Sequence, residues 1–125
     1  MDLKLTDAMI DRVARRFRAL GEPQRLRILQ VLEQGERTVG EVVAALGGNQ
    51  PNISRHLQEL HEAGLLHRRR ERNSIYYSIS DPVVHQLCAL VCGCAQRDME
   101  AELAALRPGG KAGGDGSANA ATTLN

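Results

Sequence analysis

Residues 38–66 read TVGEVVAALGGNQPNISRHLQELHEAGLL, and this stretch decides the fold. Thr38 and Glu41 have the Thr-x-x-Glu spacing of a capping box, in which each side chain accepts a hydrogen bond from the other residue's backbone N–H. Their spacing predicts a short helix that begins at this point. The Gly47-Gly48 pair ends the helical pattern and predicts a turn.

A second helix follows the turn. Asn49 is a favoured cap, and Pro51 falls in the first helical turn, where a proline is tolerated. One apolar face is formed by Ile53, Leu57 and Leu60, and Gly64 stops the helix. Two capped helices joined by a glycine turn are typical of a helix-turn-helix, whose second helix enters the major groove of DNA.

Polar side chains gather near the start of this second helix, where base edges come within reach. They are Gln50, Asn52, Ser54 and Arg55. Gln and Asn pair with adenine edges and Arg with guanine, and each bidentate pair contributes about 1–3 kcal/mol of discrimination. Backbone N–H groups at the same end can hold a phosphate. The residue types therefore predict a DNA-reading surface.

The periodicity changes after the second helix. Residues 65–70 and 75–80 flank a charged tip, and the second segment alternates apolar with polar side chains, which predicts a β-hairpin. Residues 67–73 hold four Arg against one Glu, the densest positive stretch of the chain. Arg72 and Asn73 at the tip are placed to reach phosphates or a minor groove. If the hairpin is considered without the preceding helix, the alternative interpretation is a charged turn that is exposed to solvent and binds no ligand.

The remaining segments complete a predicted order of helix, helix, helix, helix, hairpin and long helix. Thr6 can cap the first helix, whose apolar stripe is Met9, Ile10, Val13, Phe17 and Leu20. Pro23 opens the second helix, and Asp81-Pro82 opens a last helix of roughly 24 residues. We predict one domain over residues 1–106 and a disordered Gly/Ala-rich tail over 107–125, because the tail has almost no large apolar side chain.

The composition narrows the class of protein. With 16 basic and 15 acidic residues among 125, the chain is not a uniformly basic polymer-binding surface, although a local basic patch is compatible with that balance. No apolar run has the length of a membrane span or of a signal peptide. The three cysteines all fall within residues 88–94, which suits a reducing cytoplasm. The sequence contains no Ser/His/Asp set, phosphate-binding loop or pair of carboxylates of the kind that would indicate an enzyme.

Three ordered motifs resemble the ArsR/SmtB family of small bacterial winged-helix repressors. They are ALGEPQRLRIL at 19–29, QPNISRHLQELHEAGLL at 50–66 and RNSIYY at 72–77. The resemblance implies a mainly helical winged helix-turn-helix with a small β-hairpin. It also implies a homodimer joined through the first and last helices, which binds a palindromic operator and leaves it when an inducer binds.

The resemblance adds DNA-contacting positions to those given by the residue types. His56 joins the reading helix, and Arg70 joins Arg72 and Asn73 on the wing. A two-fold dimer also agrees with DNA geometry, because one such module buries too little DNA to be both tight and specific.

The last predicted helix contains a second group of candidate functional residues, which are His85, Cys88, Cys92 and Cys94. At about 100° per residue, Cys88 and Cys92 lie on one face near His85, whereas Cys94 points the other way. Cβ atoms four residues apart on a helix are ~6 Å apart, too far for an unstrained disulfide but within reach of a soft ion bridging two thiolates. Packing of the thiols as small apolar groups is the alternative. Pairing across a dimer also stays open.

The resemblance does not supply a ready sensor site. The family's metalloid Cys-x-Cys lies on the helix before the reading helix, where residues 41–46 contain no sulfur. Its zinc site on the last helix uses an Asp-x-His and a later His, where Asp81-Pro82-Val83 and Cys94 stand in this chain. Its persulfide sensors need a cysteine on an early helix, and this sequence has none.

These observations predict a dimeric repressor that binds a double-stranded DNA operator and needs no cofactor to fold. Under the first hypothesis, arsenite, antimonite or another soft metal ion induces it by binding Cys88 and Cys92, with Cys94 and His85 as further candidate ligands. Reactive sulfur or an oxidant acting on the thiols is the second hypothesis. A winged-helix DNA binder without a thiol inducer is the third.

Overall fold

A computed structural model describes residues 4–107 of the chain. Its elements are α1 (Asp7–Leu20), α2 (Pro23–Leu32), β1 (Arg37–Thr38), α3 (Val39–Leu46), α4 (Gln50–Glu62), β2 (Leu66–Glu71), β3 (Ser74–Ile79) and α5 (Pro82–Ala105). The five predicted helices and the hairpin are confirmed in their order. Apart from Arg107, the predicted tail over 107–125 lies outside the described residues.

The contacts group the chain into two compact units, one ending at Gln86 and one beginning at Leu87. The first unit contains α1 to β3 and the first turn of α5, and the second contains the rest of α5. The single domain over residues 1–106 stays a prediction. No helix between residues 4 and 107 combines the length and apolar character that crossing a bilayer requires.

Local hydrogen bonds begin the helices where the sequence predicts. Thr6 Oγ1 accepts from the Met9 N–H at 3.2 Å. In the capping box, Thr38 N donates to Glu41 Oε1 at 2.9 Å and Glu41 N donates to Thr38 Oγ1 at 3.1 Å. The Gly47-Gly48 pair adopts φ of 79° and 90°, a left-handed conformation that glycine reaches without steric cost. These residues therefore hold α3 and α4 at a short turn.

Buried side chains of α2, α3, α4 and the hairpin form the core of the first unit. They include Ile28, Leu29, Leu32, Val42, Ile53, Leu57, Leu60, Leu65, Leu66 and Tyr77. The α4 helix packs against α1, α2, α3 and β2. Each large apolar side chain contributes about 1.5–3 kcal/mol to stability when it is fully buried. The buried residues of α4 therefore fix the position of this helix on the core.

A third strand joins the hairpin and was not predicted. The two-residue β1 pairs antiparallel with β3 and gives the strand order β1-β3-β2. Within the hairpin, Glu71 pairs with Ser74, so Arg72 and Asn73 alone form the turn. The predicted four-residue tip over 71–74 is therefore corrected to a two-residue turn, because the strand pairing reaches one residue further at the tip.

Apolar side chains on α1 and α5 lie at the surface. On α1 they are Met9, Ile10, Val13 and Phe17, of which Phe17 is 58% exposed. On α5 they include Val83, Leu90, Val91, Met99 and Leu103. On α1 these side chains share one face of the helix, whereas on α5 they are distributed around it. Both helices expose more apolar surface than the scattered aliphatics of an ordinary surface, so each is suited to an interaction.

Candidate nucleic-acid interface

The amino-terminal end of α4 is polar and open. Asn49 Oδ1 accepts from the Asn52 N–H at 2.9 Å and caps the helix. Gln50, Asn52 and Arg55 are exposed, and Arg55 Nη2 donates to Asn52 Oδ1 at 3.3 Å. This contact sets a carboxamide beside a guanidinium on one face of the helix. The two groups together suit the acceptor and donor edges of adenine and guanine.

The other two predicted readers, Ser54 and His56, are half-buried. His56 Nδ1 lies 3.5 Å from Arg25 Nη1, and Arg25 Nε donates to the Ala19 carbonyl at 2.8 Å. Because a guanidinium only donates, Nδ1 is the acceptor in this contact. Arg25 engages the His56 ring, which connects the reading helix to the end of α1. A contact between His56 and DNA stays a prediction.

The tip of the hairpin is exposed and positive. Arg70, Arg72 and Asn73 all lie at the surface, as contact with phosphates requires. Arg72 adopts a φ of 57°, and no other non-glycine residue between residues 4 and 107 has a positive φ. This conformation costs an L-residue about 1–2 kcal/mol, so the tight turn holds Arg72 in a strained backbone.

The side chain of the neighbouring Arg69 is bound by carboxylates of the protein. Its Nε and Nη2 donate to the two Glu36 carboxylate oxygens at 2.7 and 2.9 Å, and its Nη1 donates to Glu71 Oε1 at 2.6 Å. Its guanidinium carbon lies 4.4 Å from the centroid of the Tyr76 ring. The hydrogen bonds between Arg69 and Glu36 lower the pKa of the Glu36 carboxyl and raise the pKa of Arg69. Both groups are therefore charged at neutral pH.

The predicted sensor thiols lie along α5. Cys88 is half-buried, and Cys92 and Cys94 are exposed. Because the helix is unbroken from Pro82 to Ala105, Cys94 is turned about 200° from Cys92 around its axis. Within the described part of one chain, no group of three or more His, Cys, Asp or Glu side chains is arranged to hold a metal ion. The predicted ligand set of Cys88 and Cys92, with Cys94 and His85 as further candidates, stays a prediction.

The fourth candidate ligand, His85, has a partner of its own. Its Nε2 lies 3.0 Å from Glu33 Oε2, at the carboxyl end of α2. Val84 beside it is buried. The contact with Glu33 lies within the first unit and joins the first turn of α5 to the end of α2. The structure thus gives His85 a carboxylate partner. Its role as a further ligand stays a prediction.

Sequence reasoning missed the contact between Glu36 and Arg69. The two residues are 33 positions apart, and Glu36 lies in a loop whose pattern predicts no function. The sequence does indicate that Arg69 has different surroundings from its neighbours, because alternation along a strand places it on the face opposite to Arg68 and Arg70.

We expect Arg72→Ala to weaken binding to DNA of any sequence and to reduce the dependence of affinity on salt. Each phosphate contact that is lost lowers the slope of log K against log salt concentration by about 0.9. Fluorescence anisotropy on an operator duplex and a random duplex, between about 50 and 200 mM salt, measures both effects.

Two further variants test this assignment. Arg72→Gly removes the same charge but relaxes the positive φ, so equal losses in both variants attribute the effect to charge and not to strain. Asn52→Ala is expected to relax base preference, with a larger loss on operator than on random DNA. An unchanged salt slope in Arg72→Ala would contradict the wing contact.

The sequence matches the family model described as "Bacterial regulatory protein, arsR family" over residues 22–68. This segment runs from the cap of α2 into β2 and contains the helix-turn-helix. The chain is also similar to the probable mercury resistance operon repressor of Streptomyces lividans. The two are 41% identical over 93 residues, which cover 74% of this chain and 74% of the relative.

Two solved structures have the same fold. The first is the solution NMR structure of a homodimeric winged helix-turn-helix DNA-binding domain from Mycobacterium bovis. It has a TM-score of 0.67 and 40% identity, and the match covers 76% of this chain and 91% of that one. The second is the crystal structure of the AntR antimony-specific transcriptional repressor, with a TM-score of 0.67, 31% identity and coverage of 80% and 90%. The predicted winged helix-turn-helix is confirmed.

Proposed function

The chain belongs to the ArsR family of bacterial regulatory proteins, and we propose that it is a homodimeric repressor released from a palindromic operator when a thiophilic ion binds the cysteines of α5. It is a transcriptional repressor with a winged helix-turn-helix for DNA binding, and its homologues are regulators, not enzymes. We place this activity in the bacterial cytoplasm, where the operator DNA lies.

Dimer formation supports the palindromic operator. The Mycobacterium bovis neighbour is homodimeric, and the exposed apolar side chains of α1 and α5 give this chain two helices through which copies can join. A two-fold axis places the two reading helices about 34 Å apart, one turn of DNA, so each reads one half of a symmetric site. We therefore assign base contacts to Gln50, Asn52 and Arg55 of each copy, and phosphate contacts to Arg70, Arg72 and Asn73.

The spacing of Cys88 and Cys92 on an unbroken α5 carries the sensing proposal. Thiolates are the ligands that soft ions prefer, and two of them at i and i+4 can bridge one ion. The names of two similar proteins, a mercury resistance operon repressor and an antimony-specific repressor, support arsenite, antimonite or mercuric ion as the inducer class. A third ligand, where an ion needs one, has to come from the other protomer or from a bent helix.

Titration of operator binding with soft ions tests the proposal. In a thiol-free reducing buffer, we expect arsenite, antimonite or mercuric ion to weaken operator binding by about 5–150-fold, the usual range of coupling between two sites. The double variant Cys88→Ser/Cys92→Ser is expected to bind the operator normally and to lose the response. Cys94→Ser is the matched control, and it keeps the response if the pair alone binds the ion.

Each competing hypothesis has its own outcome in this experiment. In a parallel titration of pre-reduced protein without reductant, a response to polysulfide or peroxide alone, lost in the same double variant, would assign the signal to thiol chemistry instead of ion binding. Operator affinity unchanged by soft ions and by polysulfide would contradict thiol sensing and leave a repressor without a thiol inducer.

A further inference from the structure

We infer that Arg69 is a positioning residue that fixes the wing to the rest of the DNA-binding unit, and that Arg68 is a further phosphate contact beside Arg70. The inference rests on the proposed contact between the wing and DNA.

The strand register divides the arginines of β2 between the two faces of the sheet. Arg68 lies opposite Tyr77, and Arg69 lies opposite Tyr76. Directly opposed residues project from the same face, and successive residues alternate. Tyr77 is 2% exposed and belongs to the core, so its face is the inner face of the sheet, and the face of Tyr76 is the outer face. Arg68 and Arg70 therefore project from the inner face and Arg69 from the outer face.

On the outer face, the Arg69 side chain spans all three strands. It begins on β2, passes over the Tyr76 ring of β3 and ends on Glu36, the residue before β1. All three guanidinium nitrogens donate to carboxylates, and two of these bonds form a bidentate pair with Glu36. Charge-assisted bonds of this kind are roughly twice as strong as neutral ones. A phosphate would have to displace two carboxylates to bind Arg69, so we assign it no DNA contact.

On the inner face, Arg68 and Arg70 are exposed, and neither forms an ion pair within residues 4–107. Being two residues apart on one strand, they are about 7 Å apart along it. The β2 strand begins four residues after the end of α4 and packs against that helix. Two exposed guanidinium groups without an ion pair, on the strand that leads to Arg72 of the proposed wing contact, are suited to bind phosphates of the DNA backbone.

Glu36→Gln separates a positioning role from a direct contact, because the two roles predict opposite results. If Arg69 positions the wing, the variant binds DNA about fivefold more weakly, the scale of coupling between contacting side chains, and keeps the wild-type salt slope. If Glu36 merely competes with phosphate for Arg69, the variant binds more tightly with a steeper slope, which would overturn the proposal. Anisotropy titrations of the full chain on a mixed-sequence duplex at several salt concentrations give both quantities.

Alanine variants of the wing arginines complete the test. We expect Arg68→Ala and Arg70→Ala to lower the salt slope by about 0.9 per protomer, and Arg69→Ala to weaken binding at an unchanged slope. Arg69→Ala in the Glu36→Gln background is expected to add little further loss, because both changes break one contact. Equal slope losses for Arg68→Ala and Arg69→Ala would overturn the assignment. If Arg70→Ala and Arg72→Ala also keep the full slope, the failure lies with the proposed wing contact itself.

Discussion

Phe17→Glu is expected to leave the protein monomeric and to weaken operator binding by about a hundredfold or more. Phe17 is 58% exposed on α1, on the same helix face as Met9, Ile10 and Val13. In a dimer joined through this stripe, the new carboxylate loses its hydration without gaining a partner. A monomer reaches only one half-site, so the gain from linking two half-sites is lost. Sedimentation velocity measures the oligomeric state, and anisotropy measures the operator affinity.

Ala8→Glu provides a matched control on the same helix. Ala8 is exposed, and at about 100° per residue it lies on the side of α1 opposite to the apolar stripe. The same charge placed there should leave both dimer formation and DNA affinity close to those of the unsubstituted chain. If Phe17→Glu sediments as a dimer with unchanged affinity, α1 does not contribute to the dimer interface.

Leu57→Ala is expected to lower the free energy of unfolding by about 2–5 kcal/mol. Leu57 is completely buried and, with Ile53 and Leu60, seats the reading helix on the core. Its truncation removes apolar contacts and leaves a cavity that the close-packed surroundings fill only in part. Domains of this size are typically stable by about 5–15 kcal/mol, so a large share of the total is lost.

Urea denaturation at one fixed protomer concentration measures this loss, because the stability of a dimer depends on concentration. The neighbouring Gln58 is exposed, and Gln58→Ala should change the free energy of unfolding by no more than about 0.5 kcal/mol. Similar small changes in both variants would contradict the burial of Leu57 in the core.

Much of the fold could be predicted because its strongest signals are local. The capping box of Thr38 and Glu41 and the Asn49 cap each involve residues three positions apart. The β1 strand could not be predicted in this way. It is only two residues long, too short for alternation to show, and it exists through pairing with Tyr76 and Tyr77 of a distant strand.

In the candidate site too, the features set by local sequence could be predicted, and the features set by distant residues could not. Helical periodicity suffices to separate Cys94 from Cys88 and Cys92, and the unbroken α5 agrees with that separation. The orientation of His56 could not be predicted, since it depends on Arg25 of another helix. The sequence of β2 likewise suggests one uniform positive run, because the carboxylate that engages Arg69 comes from before β1.

The strand order β1-β3-β2 leaves β2 at an edge of the sheet. An edge strand offers unpaired backbone N–H and C=O groups to strands of neighbouring molecules, and this is a common route to aggregation. Arg68 and Arg70 are exposed on that edge, and their like charges repel a second copy of the same strand. The arginines that we propose as DNA contacts therefore also oppose association of the unbound protein through this edge, and we expect a chain without them to lose colloidal stability together with affinity.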